Sequence, residues 1–157
     1  MPVGAHESTA LKLELALRSG RLAVTIVNAT GGEQRLWDWH NSWGWYALAA
    51  QARERTGRSF EIKRELRDWS KNGPTAFVLS PGERHEVLLD LRDGSWEIVA
   101  AESVDVVHLQ DQPLELRARL RIEPTPEAER LGVFTGTVFS DWIVSTPPHD
   151  WLPASTS

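Results

Sequence analysis

Apolar and polar residues alternate with a period of two through most of this chain. Leu11, Leu13, Leu15 and Leu17 are separated by Lys12, Glu14, Ala16 and Arg18, and Leu22, Val24 and Ile26 resume the rhythm beyond Ser19-Gly20. A two-residue loop at Ser19-Gly20 pairs Leu17 with Leu22, Leu15 with Val24 and Leu13 with Ile26, which puts every apolar side chain on one face of a hairpin. Asp93-Gly94 predicts a second hairpin, with Leu91 opposite Trp96, Leu89 opposite Ile98 and Val87 opposite Ala100. Around Gly57 a two-residue loop would mix the faces. A three-residue loop, Arg55-Thr56-Gly57 with Gly57 left-handed, instead pairs Ala52 with Phe60 and Ala50 with Ile62.

Farther along, Leu114, Leu116, Ala118, Leu120 and Ile122 alternate with charged residues in one long strand. Thr125-Pro126-Glu127 then reads as a helix N-cap, a first-turn proline and an acidic first turn, closed by Gly132. A final strand runs from Val133 to about Val144, and segments 33–39, 44–52 and 74–80 supply the remainder. No helix longer than two turns and no repeat is visible. The pattern predicts an all-β fold: an antiparallel immunoglobulin-like β-sandwich of about eight or nine strands with one short helical turn. One domain spans residues 1–157, with its core over about 10–146 and tails at 1–9 and 147–157.

The 157 residues suffice for one self-sufficient core, and 41% hydrophobic with 25% charged residues is ordinary for a globular domain. No apolar run approaches 18 residues, so no membrane span is expected. A net charge of −5 does not forbid a basic face, but nothing in the sequence suggests one, so no nucleic-acid partner is expected. Only 3 of the 17 basic residues are Lys, a bias that fits a GC-rich bacterial genome. With no cysteine, disulfides and thiolate chemistry are excluded. Residues 1–10 have neither a basic nor an apolar leader region, which points to a soluble cytoplasmic protein if the chain is full length, or to an exported one whose leader was removed.

Asn28-Ala29-Thr30-Gly31 after a strand, an aromatic strand, and then Leu79-Ser80-Pro81-Gly82-Glu83 before another strand resemble bacterial immunoglobulin-like modules. The layout is similar to that of the intracellular proteinase inhibitor family and of CARDB-type adhesion modules, over about residues 11–91. The resemblance implies the sandwich fold and carries over no functional residues. Asn28-Ala29-Thr30 also matches a glycosylation acceptor, which matters only in a eukaryotic secretory host.

Common catalytic signatures are missing: no G-x-S-x-G, H-E-x-x-H, P-loop or G-x-G-x-x-G. Asp38-x-His40 has ligand-like spacing on a strand, and His85 sits in the charged stretch Glu83 to Glu86. A metal needs three or four such donors, so no metal and no cofactor are expected. Arg117, Arg119 and Arg121 read as a solvated strand face beside Glu115 and Glu123.

Tryptophan is the skewed choice, with eight Trp against one Tyr. On strands over 35–39 and 43–48, Trp37 and Trp39 would share one face, as would Trp43 and Trp45. Trp45 and Trp96 are expected in the core. Trp39 and Trp43 divide evenly between core and an aromatic platform for a sugar or a partner. Trp69, in the polar run Arg67 to Pro74, is either an interaction residue or a lid folded back on the sandwich end. Trp151 reads as a strap. The sequence thus predicts a non-enzymatic binding or assembly module that recognises a protein partner or a glycan. Its candidate binding residues are Trp69, Lys71, Asn72, Trp39 and Trp43. Alternatives are a carbohydrate-binding module with exposed coplanar Trp rings, a proteinase inhibitor using the loop Arg67 to Pro74, and a small metal-dependent hydrolase using Asp38, His40 and His85. Oligomeric state is left open.

Overall fold

A computed structural model of the chain describes residues 10–18, 20–55, 57–69, 72–99 and 112–145. The pairing Ala100 opposite Val87, Lys71 and the tail with Trp151 lie outside the described residues. The fold is all-β, with antiparallel sheets and two short helices. In chain order the elements are β1 (Leu11–Arg18), β2 (Arg21–Asn28), β3 (Gln34–Trp37), α1 (Ser42–Trp45), β4 (Leu48–Glu54), β5 (Ser59–Arg64), β6 (Ala76–Leu79), β7 (Arg84–Leu89), β8 (Trp96–Val99), β9 (Leu114–Ile122), α2 (Pro126–Leu131), β10 (Gly136–Phe139) and β11 (Ile143–Ser145). The eleven strands and two helices among the described residues correct the expected eight or nine strands with one helical turn. None of these helices is long and apolar enough to cross a membrane.

The first hairpin has the register its alternation requires, with Leu13, Leu15 and Leu17 opposite Ile26, Val24 and Leu22. The β4–β5 hairpin likewise sets Ala50 against Ile62 and Ala52 against Phe60, and Gly57 takes φ 93°. The expected β7–β8 hairpin does not form. Instead β7 pairs with β2, Val24 opposite Val87, and β8 pairs with β5, Ile62 opposite Ile98. Residues 90–95 carry the chain from one sheet to the other. Asp90 and Asp93 order that corner by accepting from the backbone N–H groups of Arg92 and Ser95 at 3.1 and 2.8 Å. Alternation fits a hairpin and an intersheet corner equally well, because both leave Leu89, Leu91 and Trp96 facing inward.

The larger sheet runs β10-β9-β4-β5-β8, with β11 beside β9 as well; a second is β1-β2-β7, and β3 pairs with β6. Leu and Ile side chains of β1, β2, β4, β5 and β9 meet in one buried cluster with Leu36, Trp37 and Leu79. The final strand, expected to be continuous, is split by a bulge. Val138 pairs with Leu120, but Ile143 pairs with Leu116, one residue out of step. Ser140 fills the break, its hydroxyl accepting from Ala118 N–H at 2.8 Å. In α2, Thr125 Oγ1 caps Ala128 N–H and Gly132 closes the helix at φ 66°. On the outer face of β9, Arg119 pairs with Glu61 at 3.0 Å and Arg121 with Glu123 at 2.7 Å.

The motif behind the family resemblance proves to be one buried knot. Asn28, 1% exposed, donates from Nδ2 to the carbonyls of Gly32 (2.7 Å) and Leu79 (2.8 Å), and its Oδ1 accepts from Thr30 N–H and Oγ1–H. Gly82 N–H donates to Asn28 O at 2.9 Å, and Glu83 Oε1 accepts from Ser80 N–H. One amide therefore ties the turn after β2 to the turn before β7. Asn28→Ala leaves the Leu79 carbonyl without this donor and should cost about 2–3 kcal/mol. Urea unfolding measures it, and a loss below about 0.5 kcal/mol would mean that the two turns hold without the amide.

Candidate functional site

Four residues separate β3 from α1, and they build one wall of a cleft of about 730 Å³. The β3–β6 ladder extends one bond past β3, Asp38 N–H donating to Thr75 O at 3.0 Å. Asn41 then caps α1 by accepting from Gly44 N–H at 2.9 Å, and its Nδ2 donates to Thr75 O, also at 2.9 Å. Gly44 is obligatory, since a Cβ there would stand 2.1 Å from the Asp38 carbonyl oxygen. Capping by Asn41 and this close approach explain why 43–45 is a helical turn and not the expected strand. Trp43 and Trp45 consequently do not share a face.

Trp39 enters the cleft beside Phe77 of β6 and His85 of β7. Its indole N–H donates to His85 Nε2 at 3.2 Å. The Trp39 and Phe77 rings meet edge to face at 5.9 Å and 60°, and Phe77 and His85 lie 4.7 Å apart. Asp38, His40, Asn41, Asn72, Gly73 and Thr75 make up the rest of the described lining. The side chains of Asp38 and His40 have no hydrogen-bond or ion-pair partner among the described residues, and neither has His85 Nδ1. Asp38, His40 and His85 thus share a cleft. Among the described residues, however, no three His, Asp or Glu side chains gather closely enough to share an ion.

Of the other expected binding residues that are described, Trp43 and Trp69 lie elsewhere, and Asn72 lines the cleft with its amide already engaged. Trp43 packs against Trp37 with the rings tilted by 31° and their centres 5.6 Å apart, beside a separate recess of about 200 Å³, so Trp39 and Trp43 form no common platform. The Asn72 amide is committed to Ser42, accepting from its N–H at 2.9 Å and donating to its Oγ at 2.6 Å. It shapes the rim of the cleft.

Trp69 belongs to a column of alternating indoles and guanidiniums. Arg64 lies 4.1 Å from the ring centres of both Trp96 and Trp45, and Arg67 lies 4.8 Å from Trp45 and 5.0 Å from Trp69. Trp69 and Trp45 meet nearly perpendicular, at 80°. Burial pushes the Arg64 pKa down, while nearby Asp93 opposes the shift. The indole N–H groups of Trp45, Trp69 and Trp96 are buried without partners among the described residues, while Arg67 stays exposed and the Trp69 ring is half-buried. Trp96 is in the core at 3% exposed, and Trp45 is half-buried.

Sequence reasoning missed Phe77 and Thr75. Both sit in a short apolar stretch without distinguishing spacing, and only the β3–β6 pairing brings them to Trp39. Searched against protein-family models, curated proteins and solved structures, the chain matches none of them.

Proposed function

We propose that this protein is a non-enzymatic binding module, an immunoglobulin-like β-sandwich whose recognition site is the cleft beside Trp39. One observation carries the reading: three aromatic rings and the polar groups of Asp38, His40 and His85 Nδ1, which have no partner among the described residues, converge on the same opening. Ligand clefts characteristically combine about 300–1,000 Å³ of mostly apolar wall with a few polar groups that fix orientation. The two-turn knot at Asn28 and the core shared between sheets support the sandwich.

The test is a ligand-observed NMR screen of small polar compounds and oligosaccharides against the full chain. Hits are expected to vanish in Trp39→Ala and to persist in Trp142→Ala, whose ring lies elsewhere, against Arg53 and Arg117. No hits, or hits indifferent to Trp39→Ala in a variant that circular dichroism shows to be folded, overturn the proposal.

A second reading, the proteinase inhibitor, draws on the loop after β5. There Leu66 is 91% exposed and the Arg67 N–H is anchored on Tyr46 Oη at 3.0 Å. Inhibition of a serine and cysteine proteinase panel that is lost in Leu66→Asp would favour it, and no inhibition would remove it.

A further inference from the structure

The groups in the cleft are particular about what they can meet. An indole N–H only donates, so its bond to Nε2 holds the His85 imidazole in the Nδ1–H tautomer. The free edge of that ring therefore offers a donor. Asp38 offers an acceptor, and the Thr75 hydroxyl, which already accepts from Asn41 Nδ2 at 3.3 Å, keeps its proton to donate. Asn41 and Asn72, by contrast, have their amides tied up in shaping α1 and the rim.

The rings give a second constraint. Trp39, Phe77 and His85 are in contact with one another and form a single continuous wall. No described indole faces it from across the cleft, since Trp43 lies on Trp37 and Trp45 in the arginine column. A planar base, which gains most from being held between two faces, finds only one. A pyranose has one apolar C–H face and a perimeter of hydroxyls that both donate and accept, and it matches a one-sided wall with a donor and an acceptor beside it. Charge gives the third constraint. Among the described residues Asp38 is the one carboxylate in the lining and no Lys or Arg lines it, so an anion meets a like charge there, on a chain whose net charge is already −5. A simple cation would suit Asp38 and the rings but would leave the His85 Nδ1–H and the Thr75 hydroxyl facing it without acceptors.

We propose that the cleft takes a neutral sugar, with a pyranose face against Trp39 and its hydroxyls bonded to the Asp38 carboxylate and to His85 Nδ1–H. This rests on the reading that the cleft is the recognition site.

The experiment titrates the full chain with neutral methyl glycosides and short oligosaccharides of glucose, galactose, mannose, xylose and N-acetylglucosamine. Matched uronates, choline and adenosine run in parallel. The readout is the Trp39 indole N–H resonance, assigned by its loss in Trp39→Phe. At least one neutral sugar should shift that resonance to saturation. Its uronate should bind at least tenfold more weakly, and Asp38→Asn should narrow that gap. Tighter binding of a uronate, choline or adenosine than of any neutral sugar, with Trp39 still responding, overturns the sugar assignment and leaves the cleft as the site. If no compound here or in the broader screen moves Trp39, the recognition-site reading itself falls.

Discussion

Gly44→Ala is expected to destabilise the protein by about 3 kcal/mol or more and to empty the cleft of its ligand-binding capacity. The added methyl would stand 2.1 Å from the Asp38 oxygen, 2.9 Å from its carbonyl carbon and 3.0 Å from Trp37 Cβ. Two of those atoms are backbone and cannot rotate aside. Either α1 lifts away, breaking the Asn41 cap, or the 38–41 segment moves and takes Trp39 with it. At about 2–4 °C per kcal/mol for a domain of this size, the melting temperature should fall by roughly 6–12 °C. Gly31→Ala is the control, because open space surrounds that position, and it should melt within about 2 °C of the parent. Equal melting of both variants would mean that α1 does not pack against Asp38.

Trp37→Ala should cost about 4 kcal/mol, the largest loss expected from truncating one side chain. Trp37 is 1% exposed and is the largest of the fully buried side chains. It supports Trp43 on one side and joins β3 to the common core on the other, so its removal leaves a cavity that rigid strands cannot close. Urea unfolding of Trp37→Ala beside Trp39→Ala separates the two roles. Trp39 is only half-buried, and its truncation should cost less than half as much while abolishing binding. If the order of the two losses were reversed, Trp39 would be the structural residue and the cleft its by-product.

The registers of β1–β2 and β4–β5 were legible in the sequence because apolar parity leaves one workable loop length at each turn. A single-residue slip would turn Leu13, Leu15 and Leu17 outward. Partnership between distant strands was not legible. Nothing in Val87 or Ile98 says that one belongs with Val24 and the other with Ile62, since all four have the same parity and similar shape. The site suffered from the same limit. Trp39 stands out in the sequence as an aromatic, and His85, Asp38 and His40 as candidate ligands of a metal. Their convergence depends on the pairing of β2 with β7 and β3 with β6. The spacing of Trp43 and Trp45 misled for a local reason. An Asn cap and a glycine at a close approach outweighed a two-residue rhythm only three residues long.

The pairing of β9 with β4 also dictates an order of events during synthesis. Leu48 to Glu54 can form their hairpin with β5 early, but their other edge is completed only by Leu114 to Leu120. At about 5–20 residues per second, the ribosome leaves that edge unmatched for roughly 3–12 seconds. Through that interval the nascent chain shows a strand rich in alanine with open backbone N–H and C=O groups, a ready template for a neighbouring copy. Arg53 and Glu54 at its end are the charges that discourage such a union, and their neutralisation should lower the yield of folded protein from a crowded polysome before it lowers the stability of the finished molecule.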